Sequence, residues 1–502
     1  MLAWAALYSL NLASVRSTKI FNADLITPFL IAEDFLRDLR SIRFWNFPDA
    51  PYFFPDTLLA IFLMGITNDF KVSVLLAVGI NTAIFCMLLF LFTRLASQRS
   101  QWASVAATIV ACHIALALLD PVAYEMLLTP QFRPYIHSGA FLLSGFSFYL
   151  LLVAYRKPST FTIAALLFVC IASTISDALY LVQFAIPAIM ICFYNLLKKA
   201  QRRTSLSLAI AIVGAVVVAK IVSSALGIRP VTSEIDTAAI LSSTVDGLSW
   251  IGGHILLTLG ATAGLVFAAV ALVTRDQIQE PGYRVRSVML FASTLALLVN
   301  IAAVFLTAKF QNEQSFRYLL TWQWSLFAIV LILCAEASRV GQANFIRLPS
   351  LKAIPYLVFI TALFATLPNA QRLLHHTDPF VACYKQMLSE NGVRLAVGDY
   401  WNTKSFAAFS NSTEQSIIPI TREGAVYTWA YSPERINASL AMNRTTGVQA
   451  VTLNGMDKSS IENSLGSIDS VFSCEGFRFG SFNDSHIAFQ NVDAHFRELP
   501  SR

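Results

Sequence analysis

The sequence predicts an all-α polytopic membrane domain of about eleven transmembrane helices, followed by a small α/β domain outside the membrane. Three observations point there. The 502 residues are 56% hydrophobic and only 13% charged, with a mean hydropathy of +0.60, whereas soluble domains carry nearer a quarter charged residues. Apolar runs long enough to cross a bilayer recur as far as residue 368, and a polar sequence rich in Asn, Ser, Thr and Gly follows from 369. Lysine and arginine are distributed unevenly between alternate loops, as in a chain that weaves through a membrane.

The runs fall at 1–14, 73–95, 103–119, 138–155, 160–174, 180–197, 207–225, 249–273, 286–308, 318–337 and 352–368, measured against about 20 residues per crossing. The first has only fourteen residues and no basic start, and no A-x-A-like cleavage site follows it. It reads as a first span whose true start lies further upstream, rather than as a signal peptide. A long outward loop, 15–55, comes next, and 56–68 (with TLLAIFLMGIT) is expected to lie in the outer interface without crossing.

That choice is set by charge. One set of loops holds Arg94, Arg99, Arg156, Lys157, Lys198, Lys199, Arg202, Arg203, Arg275, Arg284, Arg286, Arg339, Arg347 and Lys352; the alternate short loops hold Arg133, Arg229, Lys309 and Arg317. Fourteen against four places the first set in the cytoplasm. If 56–68 crossed, every later loop would flip and the bias would be violated. The expected location is a bacterial inner membrane, with residues 1–368 in it and 369–502 as a periplasmic domain.

Within that last domain the stretches RLAVGDYW, SIIPI, GVQAVTL and HIAFQ read as strands with helical pieces between them. Cys86, Cys112, Cys170, Cys192 and Cys334 lie in predicted spans, where cysteine is a small hydrophobe. Cys383 and Cys474 are alone in the exported part and are expected to form a disulfide; the other reading is two unrelated thiols. Neither CxxC nor HExxH is present, so nothing argues for a structural zinc or a metalloprotease. The net charge of +6 is not gathered into a basic patch, which argues against nucleic acid as a partner.

A transporter usually carries ionisable residues near the midplane of its spans. Here Asp177, Glu336, His113 and His254 stand near span ends or alone. The acidic residues gather instead in the first loop, NADLITPFLIAEDFLRDLRSIRFWNFPDAPYFFPD, as Asp24, Glu33, Asp34, Asp38, Asp49 and Asp56. Acidic groups on one membrane face point to surface chemistry on a lipid-attached substrate.

A first span, an outward loop opening on an acid, and an interfacial helix after the aromatic-proline stretch PDAPYFFPD together resemble the GT-C superfamily. SDALYLVQFAIPA at 176–188 and RYLL at 317–320 are further similar pieces, and the resemblance spans most of 1–370. GT-C proteins are membrane glycosyltransferases that use polyprenyl-phosphate-linked sugars, among them protein mannosyltransferases and lipid A aminoarabinose transferases.

The resemblance implies a polyprenyl-phosphate-linked sugar donor, a lipid or glycan acceptor, and Asp24 as the base that deprotonates the acceptor hydroxyl. The other reading of Asp24 is a cap for a helix beginning near Ile26. Glu33, Asp34 and Asp38, beside Arg37 and Arg40, read as a solvated face with i,i+4 pairs. The leaving phosphate needs a cation, for which Arg317 is the first choice, with Arg133 and Lys309 behind it; each is equally a snorkelling interfacial cation.

Asp177 is a candidate for orienting the acceptor or assisting Asp24, or else a turn residue; His137 is a candidate ligand of phosphate or sugar, or else structural. Trp45, Tyr52, Phe53 and Phe54 suit sugar stacking, although interface belts use the same residues. The first loop has no DxD pattern, so a metal-free, mannosyltransferase-like mode is expected over divalent-metal dependence. The alternative class is a non-catalytic membrane protein, such as a lipid-sugar flippase or an envelope assembly factor. An acyltransferase would show a His-centred motif, which is missing. Four N-x-S/T sequons, at Asn411, Asn437, Asn443 and Asn483, carry no weight in a bacterial reading.

Overall fold

Most of the apolar runs become helices in the computed structural model, which describes residues 3–8, 21, 23–41, 45–47, 50–96, 102–119, 137–197, 201–226, 237–253, 281–307, 318–321, 323–332, 373–410, 415–428 and 431–498. The chain divides into two units. The first comprises 1–15, 49–56 and 74–371; the second comprises 16–48, 57–73 and 372–502.

The first unit is helical wherever it is described as regular. After the helical stretch 3–8 it contains most of α3 (Phe70–Ala96), then α4 (Trp102–Leu119), α5 (Ser138–Arg156), α6 (Thr160–Ser176), α7 (Ile186–Leu197), α8 (Arg202–Ala225), α9 (Thr237–Gly253), α10 (Pro281–Leu306) and α11 (Gln323–Ile332). Among the described residues four helices are long and apolar enough to cross a membrane: Phe70–Ala96, Ser138–Arg156, Arg202–Ala225 and Val288–Leu306. Five shorter apolar helices accompany them. The predicted span 160–174 is a helix of 17 residues, and 180–197 opens on a wider, π-type turn at Leu181–Ala185. The predicted span 352–368 lies outside the described residues, as do parts of 1–14, 249–273 and 318–337.

The exterior of α8 is as apolar as an interior. Ile210 is 63% exposed, Val217 52% and Ile221 64%. Three large apolar side chains on one helix face would be costly in water and cost nothing in hydrocarbon. Inside the unit, Trp324 stacks on Phe141 with ring centroids 4.7 Å apart. It reaches that place because Gly145 has no Cβ, which would collide with the indole.

The second unit joins the first loop to the C-terminal domain. It holds α1 (Ala23–Arg37), α2 (Leu58–Thr67), α12 (Pro379–Glu390), α13 (Tyr400–Phe409), α14 (Pro433–Met442), α15 (Lys458–Leu465) and α16 (Ser485–Arg497). Its strands are β1 (Leu395–Gly398), β2 (Ser416–Pro419), β3 (Ala450–Thr452), β4 (Ile468–Cys474) and β5 (Phe477–Phe482). They form one sheet in the order β2-β1-β3-β5-β4, with β1 parallel to β2 and β3, and β5 antiparallel to β3 and β4.

Both faces of this sheet are covered. Leu395, Val397, Ile418 and Val451 pack with Ile436, Leu440, Ile461 and Val492 of α14, α15 and α16. Ala396, Ile417 and Ala450 pack on the other side with Phe380 and Tyr384 of α12 and Phe406 of α13. Alternate residues of each strand thus enter different cores. Asp378, Asp399, Asp457 and Asp484 cap α12, α13, α15 and α16 by accepting from backbone N–H groups of the first turn. A disulfide joins Cys383 of α12 to Cys474 at the end of β4.

Two strand expectations need correction. HIAFQ is not a strand but the start of α16, where Ala488 and Val492 are buried at a spacing of four; five residues cannot separate a half-buried helix from a strand. The hairpin β4–β5 was not expected. It turns through Glu475 (φ 49°) and Gly476 (φ 87°), a pair of left-handed residues that fits a two-residue loop between right-twisted strands.

α1 packs along both α2 and α13. On α2, Leu58, Phe62 and Ile66 recur every four residues and are 56%, 61% and 66% exposed. They make one apolar stripe on the segment expected at the interface.

Candidate functional site

Within the second unit, Asp24 meets a cluster that the C-terminal domain supplies. The helix α1 starts at Ala23, so Asp24 lies in its first turn and is not a cap for a helix beginning near Ile26. A carboxylate in a first turn faces the positive end of the helix dipole. Pro28 has no N–H with which to bond the carbonyl of Asp24. One turn on from Asp24, Thr27 is buried and accepts a hydrogen bond from Lys404 Nζ.

Lys404 comes from α13, where the Asp399 cap sets the register. Tyr400 and Lys404 stand one turn apart on the same face, with Nζ 4.1 Å from the Tyr400 ring centroid and 2.5 Å from its hydroxyl. The lysine is fully buried. Burial holds its ammonium well below the usual lysine range, and the negative charge of Asp24 opposes that shift. Burial, and after it the Asp24 charge, pushes the phenols of Tyr400 and Tyr427 upward. Asp24, Thr27, Tyr400, Lys404 and Tyr427 are therefore one electrostatic group.

The other end of α1 is held by Arg435 of α14. Its guanidinium contacts Asp34 at 2.6 to 3.0 Å and Glu33 at 3.0 Å, and Trp45 Nε1 donates to Asp34 from 3.0 Å. Asp34 is buried. This corrects the expectation of a solvated face: Glu33 does pair with Arg37 at i,i+4, but Asp34 is buried with a cation from the C-terminal domain. Trp45 is 2% exposed and shielded from solvent, not offered for sugar stacking. Asn46 bridges to Tyr431 in the same corner.

A second polar cluster belongs to the first unit, at the ends of α5 and α6. His137 Nδ1 is 2.6 Å from Asp177 Oδ2. A carboxylate only accepts, so Nδ1–H donates, and in the neutral ring Nε2 faces the Tyr52 hydroxyl at 3.4 Å as acceptor. Asp177 closes a turn as well, its Oδ1 accepting from Leu179 N at 2.9 Å. Its turn role and its histidine contact thus use different oxygens.

His137 (φ 59°) and Tyr52 (φ 52°) both adopt left-handed backbone, a conformation that costs energy in non-glycine residues and concentrates at functional sites. The ring of Tyr318 lies 5.1 Å from that of His137. Asp56, 2% exposed, sits at the first turn of α5, 3.5 Å from Ser138 Oγ. It approaches so closely because residue 139 is glycine; a Cβ there would collide with the carboxylate and with Pro55.

Among the expected site residues, His137 and Asp177 are brought together, while Asp24 belongs to the other unit. Arg317, Arg133 and Lys309 lie outside the described residues. No sequence pattern singles out Lys404, Tyr400 or Arg435, and Asp56 stands in the sequence only as one acid of the loop. Among the described residues no group of three or more His, Cys, Asp or Glu side chains is placed to hold a metal ion. The first unit also has an apolar crevice lined by Phe92, Phe148, Leu151, Met289, Trp324 and Phe327. A scan of protein-family descriptions and a search of curated proteins find no match to this chain.

Proposed function

We propose that this chain is a GT-C-type membrane glycosyltransferase, moving a sugar from a polyprenyl-phosphate carrier to a lipid-linked or glycan acceptor at the outer face of a bacterial inner membrane. In this reading about eleven spans carry the reaction centre, and residues from 369 onward are periplasmic.

The observation that supports it most is the setting of Asp24. The first acid after the first span lies beside a buried lysine and two tyrosines, a polar group far too expensive to serve as packing. The reaction asks little of the protein. Asp24 accepts the proton of the acceptor hydroxyl while that oxygen attacks the anomeric carbon, and the sugar–phosphate bond breaks with its electron pair leaving on the lipid phosphate. Arg317, adjoining Tyr318 in sequence, and Arg133 are the candidates for receiving the phosphate charge. His137 and Asp177 are candidates for holding a hydroxyl or phosphate oxygen, since their hydrogen bond fixes the ring. The apolar crevice suits part of an isoprenoid chain. No bound metal is required.

The test is transfer of a labelled sugar from polyprenyl phosphate in membranes carrying wild type or Asp24→Asn, with protein level and topology checked. The expected result is a loss of about 10²- to 10⁴-fold in the variant, the usual contribution of a positioned base. Equal transfer by both proteins would remove Asp24 from the mechanism. A second reading, a non-catalytic flippase or assembly factor, takes the electrostatic coupling of Asp24 and Lys404 as purely structural. It expects membranes with no transferase activity at all.

A further inference from the structure

We propose that Lys404 is a positioning residue for Asp24, and that the C-terminal domain thereby completes a site whose proposed base comes from the first loop. The inference rests on the transferase reading and gives the C-terminal domain a role in it. It is drawn wholly within the second unit.

The geometry is a two-point hold on one helix. At the first turn of α1, Lys404 donates to Thr27, which is three residues on from Asp24, and lies within the electrostatic reach of Asp24 itself. Ten residues beyond Asp24, Arg435 takes Asp34 in a multidentate contact and adds Glu33. A helix pinned at both ends cannot rotate about its axis or slide, so the position from which Asp24 projects its carboxylate is fixed.

Neither cation is an ordinary surface charge. Lys404 is fully buried and Arg435 is half-buried, and each finds its counter-charge on α1. A fully buried lysine is retained only where its charge or its hydrogen bonds are needed. The ammonium is anchored from its own helix by the Tyr400 hydroxyl and ring, so its position is set from within α13 as well as by α1. Its aim is therefore in part a property of the C-terminal domain, and α1 is what it aims at.

The experiment uses full-length protein in membranes and in detergent. Lys404→Met removes the charge and keeps the length; Lys404→Arg keeps the charge; Thr27→Val keeps the lysine and removes one acceptor. Sugar transfer is measured as kcat and KM for the lipid-linked donor, and thermal unfolding is measured for each variant alone and with Asp24→Asn. A base displaced by about an ångström costs about 10²-fold in rate. The expected result is a fall of about that size in kcat for Lys404→Met with donor KM little changed, a smaller fall for Thr27→Val, and partial recovery in Lys404→Arg. In unfolding, the Tm loss from Lys404→Met is expected to shrink in the Asp24→Asn background.

Wild-type kcat in Lys404→Met, or additive Tm losses with Asp24→Asn, overturns the proposal while leaving the transferase reading intact. If wild type transfers no sugar, the transferase reading fails instead, and the unfolding cycle alone decides whether Lys404 and Asp24 act as a pair. Should Lys404→Met fail to accumulate, Thr27→Val carries the same comparison with the buried charge retained; an unaltered kcat there overturns the proposal.

Discussion

The two polar clusters of this protein solve the problem of burying acids in different ways. In the first unit, Asp56 and Asp177 are satisfied by neighbours at helix ends: a serine hydroxyl, a histidine, a turn amide. In the second unit, Asp24, Glu33 and Asp34 meet a lysine and an arginine from helices about four hundred residues further along the chain. In the first arrangement a histidine nitrogen faces a tyrosine hydroxyl. The second ties charges to each other. A buried ion pair is weak evidence for net stability but strong evidence that both partners must be present together. The contrast separates acids satisfied by neighbouring side chains and turn amides from acids tied to cations that hold a helix in place, and it assigns Arg435 to the second kind.

Breaking the arginine hold has the largest expected effect on stability. Arg435→Ala leaves the buried Asp34 carboxylate without its cation, at a cost of about 3–5 kcal/mol to the second unit. Differential proteolysis of 372–502 in detergent reads this. A paired Asp34→Asn/Arg435→Gln variant is expected to recover much of the loss; if it recovers none, the contact was not an ion pair at work. The disulfide comes next. Joining residues 91 apart, it is expected to contribute about 2–4 kcal/mol, so Cys383→Ser/Cys474→Ser lowers the unfolding temperature of the second unit in non-reducing buffer and makes it insensitive to reductant.

The first unit offers a smaller and more local disturbance. Gly139→Ala forces Asp56 and Pro55 away from the start of α5, costing about 1–3 kcal/mol as overpacking. Asp24 and the second unit are expected to keep wild-type proteolytic stability, which tests whether the two clusters are independent. The smallest effect is one of pH. Lys404 has a depressed folded value and the ordinary value unfolded, so the unfolded state binds more protons in between. Stability from this group is therefore complete above the unfolded value and is lost as pH falls through the folded one. The stability difference between wild type and Lys404→Met is expected to shift in favour of wild type as pH rises; a pH-independent difference would show that the lysine does not titrate on unfolding.

Much of the helical framework was legible because a span is a local property. The runs at 73–95, 138–155 and 207–225 needed only their own residues to be read, and the described helices match them within a few positions. In the C-terminal domain β1, β2 and β3 were readable as buried β-branched clusters flanked by polar turns, as in SIIPI. HIAFQ misled because its apolar spacing fits two periods, and the hairpin around Glu475 and Gly476 escaped because an outward Val471 and a buried Gly480 break the alternation.

The site was only partly legible for the opposite reason. Asp24 stood out by its place in the chain, and His137 and Asp177 by being polar at the ends of spans. Lys404 looked like any lysine on a short helix. Its burial is decided by Tyr400 beside it and by Thr27, 377 residues away, and no local pattern encodes that pairing. Asp34 was assigned to solvent for the same reason, since Arg37 offered a nearby partner and Arg435 a distant one.

The distance between α1 and its holders also sets a timetable. Arg435 follows Asp34 by 401 residues, so at synthesis rates of about 5–20 residues per second the first-loop helix waits about 20–80 s for its partner to emerge. Through that interval Asp34 lacks Arg435 and the fold around it, and Glu33 has only Arg37 of its own helix. A chain truncated before α14 would leave the loop permanently unfinished, and the proposed base with it. Assembly of the second unit therefore requires the chain to have been made at least as far as α14.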